Sequence, residues 1–265
     1  MTIDANVQLP PSLPVPLSLV ASPDNLKCTI YIPSQNGPLS EPVETSLVTF
    51  IEIAFRRYCD VPGGLRIFPA DCPRLPGGIS ELYQDLGKGW LFVWTLDDKI
   101  VGTATICPLG RGWTRVPIYE EVHSKPAPSL DVPLHLANSA LTERAKALIS
   151  QLENGAGVAL YQLSVVAVDP RLQRTGVGSA ILRYVEEFVR AVDVSEGNFW
   201  VGGGERVGGT EKKMVIAFTV GGKAGNDTWY GKRGYELVAT AHKGYGFWGC
   251  HLEEGFDLLT ILKEL

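Results

Sequence analysis

The chain has 265 residues, 45% of them hydrophobic, which is typical of a globular protein with a sizeable core. A formal charge of −5 and a pI near 5.5, without any run of basic residues, argue against a nucleic-acid-binding surface, because phosphate backbones require clustered Lys and Arg. Nucleic acid is therefore not an expected partner.

Cysteine spacing and hydropathy limit the cellular locations that we expect for the protein. The five cysteines are scattered, odd in number and form no C-x-x-C pair, so we expect neither a disulfide framework nor a metal site. The sequence contains no stretch of about 18 or more apolar residues, so no membrane span is predicted. The segment before Lys27 has no Lys or Arg and is interrupted by prolines, unlike a signal peptide. We expect a cytoplasmic protein with no membrane partner.

The chain begins with a predicted proline-rich arm, residues 1–25, followed by a single domain at 26–265 with an insertion at about 108–158. Lys27 to Ile32 predicts the first strand. A helix is then predicted after a start at Ser40 to Pro42, because apolar residues recur at helical spacing. These residues are Leu47, Phe50, Ile51, Ala54 and Tyr58.

Two apolar runs rich in aromatic and β-branched residues follow, and they flank Asp97, Asp98 and Lys99. This pattern predicts a β-hairpin. Its large rings could be read as a stacking platform, but spacing at the strand period favours packing in the core. The rings belong to Trp90, Phe92 and Trp94.

A second helix is predicted next. Asp131 and Pro133 are suited to its beginning, and Asn154 and Gly155 are suited to its end. Its apolar stripe consists of Leu134, Ala137, Leu141, Ala145, Leu148 and Leu152. Leu160 to Val168 is nearly continuously apolar, which is typical of a central strand buried on both faces.

The remaining elements alternate between helix and strand. A helix with apolar residues at Ile181, Val185, Phe188 and Val192 precedes a glycine-rich loop. A strand at Met214 to Val220 and a short helix within NDTWYGKRG follow. Strands near Tyr235 to Ala239 and at Phe256 to Leu262 complete the chain.

The turn VDPRLQRTGVGSAIL, Val168 to Leu182, joins the central strand to its helix. It is not a dinucleotide fingerprint, because Ile181 stands where the third glycine belongs, and it lacks the lysine of a Walker loop. The remaining pattern is Q-x-x-G-x-G, formed by Gln173, Gly176 and Gly178. These glycines would let backbone N–H groups at the helix start converge on an anion. The alternative is that they only end a tight turn.

Two blocks carry a family resemblance: VVAVDPRLQRTGVGSAIL and, about 50 residues later, WYGKRGY from Trp229 to Tyr235. Together with the element order, they resemble the GNAT superfamily of acyl-CoA N-acyltransferases. The resemblance implies an α/β (α+β) fold with a mixed, mostly antiparallel central sheet flanked by helices. It also implies transfer of an acetyl group from acetyl-CoA to an amine. We expect this amine to be a small molecule.

Two further hypotheses stay open: a catalytically inactive CoA-binding sensor or scaffold, and an enzyme that acetylates proteins or peptides. Direct transfer is expected, because no cysteine lies in either block to carry the acyl group. The sequence predicts neither the oligomeric state nor the amine.

The resemblance also implies the site residues. The backbone of Val166 and Val168 would pair with the pantetheine arm, and the Val166 amide would face the thioester oxygen. Tyr230 would protonate the departing thiolate, unless it only packs the helix on the sheet. The residues implied at the pyrophosphate and nucleotide are Gln173, Arg174, Thr175, Gly176, Val177, Gly178, Ser179, Asn226 and Tyr230.

Charged residues near these blocks carry separate expectations. Arg171, like Arg174, could add positive charge at the pyrophosphate. Lys232 and Arg233 could lie near the nucleotide, but a solvated helix face is the preferred interpretation of that pair.

The proton acceptor is not identified. Gln162 occupies the place where relatives often carry a glutamate, and an amide cannot act as a base. The other acidic or imidazole candidates, each equally readable as a surface residue, are Glu120, Glu121, His123, His135, His242 and His251.

Overall fold

The computed structural model describes residues 26–32, 36–86, 89–110, 113–123, 141–154, 158–192 and 212–265. The predicted arm at 1–25 and the glycine-rich loop at 193–211 lie outside these ranges. The domain boundaries therefore stay predictions. Among the described helices, none has the length and apolar character needed to cross a membrane.

Seven strands and six helices are used below. The strands are β1 (Leu26–Tyr31), β2 (Trp90–Leu96), β3 (Lys99–Gly110), β4 (Val158–Val168), β5 (Lys212–Val220), β6 (Glu236–Lys243) and β7 (Phe256–Glu264). The helices are α1 (Glu41–Phe55), α2 (Ile79–Leu86), α3 (Tyr119–His123), α4 (Glu143–Glu153), α5 (Val177–Ala191) and α6 (Asn226–Gly231). The short helices α2 and α3 were not predicted from the sequence.

The strands form one sheet in the order β1-β2-β3-β4-β5-β7-β6. β4 and β5 pair in parallel, and the other neighbours pair antiparallel. This mixed, mostly antiparallel sheet with helices on its faces confirms the fold class predicted from the sequence.

The core lies on both faces of this sheet. α5 contributes its apolar stripe to one face, where Phe188 packs edge-on against Trp90 and Phe92. α1 and α2 cover the β1-β2-β3 side of the other face, and α4 covers the opposite end. Trp90, Phe92 and Trp94 are buried, so their interpretation as core residues is confirmed.

The helix predicted from Asp131 differs from the observed one at its start. Residues 124–140 lie outside the described ranges, but Leu141 and Thr142 are not helical, and α4 begins at Glu143. The physical reason is an N-cap: the Thr142 hydroxyl oxygen accepts a hydrogen bond from the Ala145 amide at 3.0 Å. The predicted end at Asn154 is confirmed.

A β-bulge interrupts the pairing of β3 with β4. Thr103 pairs with Ala167 and Thr105 with Ser164, so β4 uses two residues, Val165 and Val166, where β3 uses one. Val165 has a φ of +48°, which is strained for a β-branched residue. The Thr103 hydroxyl donates a hydrogen bond of 3.0 Å to the Val165 carbonyl.

The bulge reverses which face each later side chain of β4 occupies. Tyr161 and Leu163 belong to the α5 face of the core, as do Val166 and Val168 beyond the bulge. Val165, by contrast, faces α1. Because side chains of a regular strand alternate, this change of parity is the direct consequence of the extra residue.

Replacing Thr103 by Val should destabilise the protein by about 1–2 kcal/mol, because the buried Val165 carbonyl loses a donor while the side-chain shape is nearly unchanged. The free energy of unfolding, measured in urea, checks this. Thr105→Val is the matched control, since no hydrogen bond from its hydroxyl is found within the described ranges. Equal losses in both variants would contradict the role given to Thr103.

Candidate active site

A cavity of about 860 Å³ opens where β4 and β5 separate. Their pairing ends at Leu163 opposite Ala217, although β4 continues to Val168 and β5 to Val220. All residues from Gln162 to Val168 line the cavity. Since successive side chains of a strand point to opposite faces, the surface they share is the backbone edge of β4.

The start of α5 forms a second wall of the cavity. Gly176 is the N-cap and has a φ of +97°, and Arg174 has a φ of +66°. The first intrahelical bond runs from the Ala180 amide to the Gly176 carbonyl. The N–H groups of the preceding first-turn residues therefore have no acceptor within the helix, and an anion is the natural partner for them.

Arg233 lies beside this helix start. Its guanidinium donates to the Ser179 hydroxyl and to the Trp229 carbonyl, and its Cζ lies 4.0 Å from the centre of the Trp229 ring. The interpretation of Lys232 and Arg233 as a solvated pair is therefore wrong for Arg233, although Lys232 is exposed. Sequence spacing carries no signal for this contact, because Ser179 and Arg233 lie 54 residues apart.

Tyr230 lines the same cavity and is 9% exposed. Its ring packs edge-on against Trp229 and Tyr235, with centroids 4.7 and 5.2 Å away. Burial raises the pKa of the Tyr230 phenol above its ordinary value; the nearby Tyr58 raises it further, and Arg233 opposes the shift. Tyr230 is therefore a protonated hydrogen-bond donor at neutral pH.

Asn226 lines the cavity but is held by protein contacts. Its Nδ2 lies 2.9 Å from the Tyr58 hydroxyl, 2.8 Å from Thr219 Oγ1 and 3.0 Å from the Val220 carbonyl. The amide thus joins the start of α6 to the end of β5 and fixes the Tyr58 hydroxyl, which also lines the cavity.

Arg171 is already paired. Its guanidinium forms a two-point contact with the Asp169 carboxylate, with Nη2 2.6 Å from Oδ2 and Nε 3.0 Å from Oδ1. This pairing lowers the pKa of Asp169. Arg171 does not line the cavity, whereas Arg174 does. The added charge expected from the turn therefore comes from Arg174 alone.

Most of the predicted cofactor-binding residues come together around the cavity: Val166, Val168, Gln173, Arg174, Gly176, Gly178, Ser179, Asn226 and Tyr230. Two do not line it. The Thr175 hydroxyl donates to the Leu172 carbonyl at 2.6 Å, and the Val177 side chain is buried in the core. The Thr175 amide also donates to the Leu172 carbonyl, at 3.4 Å, so only the backbone N–H of Val177 remains a candidate for a ligand.

The acidic candidates for a proton acceptor have other partners. Glu120 forms an ion pair with the buried Lys243. Glu121 lies 2.8 Å from Arg115 and accepts a hydrogen bond from the Ile118 amide. Neither carboxylate lines the cavity.

The histidine candidates do not reach the cavity in the described part of the chain. His242 lies 3.0 Å from Asp257, and His251 lies 3.0 Å from the Arg66 carbonyl. His135 lies outside the described ranges, and His123 is described only as the last residue of α3. Gln162 does line the cavity and donates to the Ser164 hydroxyl at 3.0 Å.

Within the described ranges, no group of three His, Cys, Asp or Glu side chains is placed to hold a metal ion.

No protein-family model and no curated protein matches the chain. Solved structures that match it include a GNAT family acetyltransferase from Elizabethkingia anophelis with acetyl-CoA bound, at 12% identity over 91% of this chain and 99% of that one, with a TM-score of 0.44. A GNAT acetyltransferase from Streptococcus pneumoniae matches at 11% identity, 90% and 100% coverage and a TM-score of 0.47.

A ribosomal-protein-alanine N-acetyltransferase from Brucella melitensis matches at 16% identity, 89% and 99% coverage and a TM-score of 0.45. Similarity at this level concerns the general course of the chain. The roles of individual residues are therefore judged from their own geometry.

If the start of α5 holds the pyrophosphate, as the sequence predicts, Gly178→Glu should reduce the affinity for CoA by at least about tenfold, because its carboxylate would repel the anion there. The fold should persist, since the helix dipole tolerates an acidic residue there. A Cβ at this position meets Val168 and Trp229 at 3.4 and 3.5 Å, which are ordinary contacts. Gly178→Ala is therefore the control and should bind normally by calorimetry. Unchanged affinity in Gly178→Glu would overturn the assignment.

Proposed function

We propose that the protein is an acetyl-CoA-dependent N-acetyltransferase that moves the acetyl group directly to an amine. The observation that carries this proposal is a single cavity bounded by the free backbone edge of β4, the amide-presenting start of α5 and the buried phenol of Tyr230. A cytoplasmic location remains part of the proposal.

The edge of β4 suits the pantetheine arm. An extended chain that carries amide groups adds to a strand edge through main-chain hydrogen bonds, and beyond Leu163 this edge of β4 has no strand partner among the described residues. Val166 and Val168 are the residues proposed to pair with the arm. Because the contact is made by backbone atoms, side-chain chemistry plays little part in it.

The start of α5 suits the pyrophosphate. Gly176 permits the sharp entry into the helix, and the unpartnered first-turn amides supply donors. Arg174 and Arg233 add positive charge to the same wall, and Lys223 adds more from the short turn before α6. Charge and donors thus match an anionic nucleotide, which supports acetyl-CoA as the donor.

In the reaction, acetyl-CoA supplies a thioester: the amine lone pair forms the C–N bond to its carbonyl carbon, and the C–S bond breaks with its electron pair leaving on sulfur. The Val166 amide is proposed to face the carbonyl oxygen as negative charge develops there. Tyr230 is proposed to donate its hydroxyl proton toward the sulfur. Solvent then restores the proton to the phenol.

The raised pKa of Tyr230 limits how it acts. A phenol of pKa about 10 or higher is a weaker acid than a thiol of pKa about 8.5, so complete transfer of the proton to the thiolate is uphill. Stabilisation of the sulfur charge by a hydrogen bond in a dry site is therefore the larger part of its effect. Arg233 favours any phenolate that forms.

The amine must lose one proton in the overall reaction. Among the described cavity-lining residues there is no Asp, Glu or His to receive it. We therefore propose that the acceptor reacts as its free base, with water taking the proton. None of the five cysteines lines the cavity, which favours direct transfer over an acyl-enzyme.

The size of the cavity favours a small acceptor. Its volume of about 860 Å³ has to hold part of acetyl-CoA as well as the acceptor, and small-molecule sites alone commonly occupy roughly 300–1,000 Å³. A peptide acceptor would have to lie largely outside such a space.

A CoA-binding module without catalysis is the second candidate, and the lack of a carboxylate or imidazole among the cavity-lining residues that the structure describes favours it. Incubation with acetyl-CoA and a panel of amines at pH 8 separates the two. Binding without any release of CoA thiol would establish the module; thiol release that depends on the amine would establish the enzyme.

Tyr230→Phe should lower kcat by about tenfold to a hundredfold and leave the affinity for CoA nearly unchanged, because the ring still packs while the donor to sulfur is lost. Stopped-flow turnover and calorimetry measure the two quantities. Tyr235→Phe, which removes a hydroxyl from a neighbouring buried ring outside the cavity, is the control. An unchanged kcat would make Tyr230 structural, and a large loss of affinity would make it a wall of the CoA site.

The pH dependence should follow the acceptor. Since no titrating base lines the cavity in the described ranges, kcat/KM should rise with pH until the free amine predominates, near pH 10 for a simple primary amine. The pKa of Tyr230 lies above its ordinary value, so its ionisation should cause no fall in rate below about pH 10. A plateau reached near pH 7 for such an amine would contradict this, because it would report a protein base.

A further inference from the structure

All charged side chains that the structure describes on the cavity lining are positive. The described lining residues include five cations and no Asp, Glu or His; the cations are Arg57, Arg74, Arg174, Lys223 and Arg233. The proposed binding of the pyrophosphate accounts for the last three. Arg57 and Arg74 come from different elements, the 3-10 turn that follows α1 and the loop that precedes α2, and the pyrophosphate does not account for them.

Arg74 is held in place by two aromatic rings and by the backbone of its loop. Its Cζ lies 5.3 Å from the centre of the Phe55 ring and 5.8 Å from that of Trp248. Glu52 fixes the loop through the backbone, accepting hydrogen bonds of 2.8 Å from the amides of Arg74 and Leu75. No carboxylate in the described ranges forms an ion pair with the Arg74 guanidinium.

Arg57 lies on the same cavity with donors to spare. Its Nη2 donates to the Ala224 carbonyl at 2.7 Å, and its Cζ lies 5.1 Å from the Tyr58 ring. A guanidinium has five N–H donors, so this single bond leaves most of them available. No described carboxylate pairs with Arg57 either.

An aromatic wall, defined as Phe55, Trp248, Tyr119 and Phe218, adjoins Arg74. The Trp248 Nε1 donates to the Tyr119 hydroxyl at 3.2 Å, and the two rings meet edge-on at 4.7 Å. Tyr119 in turn packs against Phe218 at 5.6 Å. All four residues line the cavity. This end of the cavity therefore combines apolar ring surface with an unpaired guanidinium.

From this combination we propose that the acceptor is an amine that also carries a carboxylate beside an apolar or aromatic group, as an aromatic amino acid does. The carboxylate pairs with Arg74, assisted by Arg57, and the apolar part lies on the aromatic wall. This inference rests on the proposed function and names the class of its acceptor.

Charge explains why a simple cationic amine fits less well. Arg57 and Arg74, the two lining cations that the pyrophosphate does not account for, repel an ammonium ion, whereas an amino acid brings its own neutralising carboxylate. The same positive charges disfavour the ammonium form of the bound acceptor and so lower its pKa. The cavity thereby favours the free amine that the reaction needs, without a protein base.

The test compares acetylation of matched pairs, phenylalanine with 2-phenylethylamine and tryptophan with tryptamine, at the same concentration of free amine. We expect kcat/KM to be at least about tenfold higher for the amino acid of each pair. Arg74→Gln should abolish this preference, and Arg74→Lys should keep part of it. Arg183→Gln, at an exposed position of α5, is the control and should leave it unchanged.

Equal or better use of the decarboxylated amines, or a preference that survives in Arg74→Gln, would overturn the inference while leaving acetyl transfer established. Faster acetylation of 2-aminoethyl phosphate than of either amino acid would replace the carboxylate by a phosphate and also overturn it. Thermal unfolding of each variant excludes a general loss of the fold.

A binding measurement keeps the inference testable without turnover. With CoA present, N-acetylphenylalanine should bind at least about tenfold more tightly than N-acetyl-2-phenylethylamine, and Arg74→Gln should remove the difference. Failure of acetyl-CoA to bind or react would overturn the proposed function alone. Equal binding of the two acetylated compounds, or no binding of either, would overturn the acceptor class.

Discussion

The hydrogen bond from the Thr103 hydroxyl to the Val165 carbonyl holds a β-branched residue at positive φ inside a buried strand. Such backbone strain costs about 1–3 kcal/mol and persists only where its surroundings enforce it. Here the hydrogen bond from Thr103 helps to enforce the strained conformation of Val165. The extra residue turns Val166 and Val168 toward the α5 face, and β4 continues beyond the last residue that pairs with β5. The bulge therefore lies directly after the point where β4 stops pairing with β5, on the stretch of β4 that lines the cavity.

The charged side chains that the structure describes on this cavity are all positive. The start of α5, Arg174 and Arg233 create a positive region on one wall, and Arg57 and Arg74 add positive charge elsewhere on the lining. One charge distribution would serve two purposes in the proposed reaction: it attracts an anionic donor, and it disfavours the protonated form of the acceptor. Positive charge near the acceptor would lower the pKa of its amine, so the proposed reaction would depend less on a base supplied by the protein.

The strands were predictable because burial on one or both faces leaves a direct record in hydrophobic periodicity, and the turn after Val168 was predictable because glycine has a specific conformational use. The start of α4 was missed because the apolar stripe extends back beyond Thr142, whose hydroxyl caps the N-terminus of the helix. The contacts of Arg74 and Arg233 join segments far apart in the chain, so no local pattern encodes them. The bulge at Val165 was equally hidden, since its residues are ordinary strand formers.

The edge of β4 offers its peptide groups, and not its side chains, to the cavity. Peptide groups are the same in every residue except proline, so this surface stays chemically constant when the amino acids along the strand change. The side chains of such a strand matter for its packing and for the course of its backbone, and they do not supply the hydrogen-bonding groups of the edge. A substitution along this strand therefore changes how it packs, while the hydrogen-bonding groups along its edge stay the same.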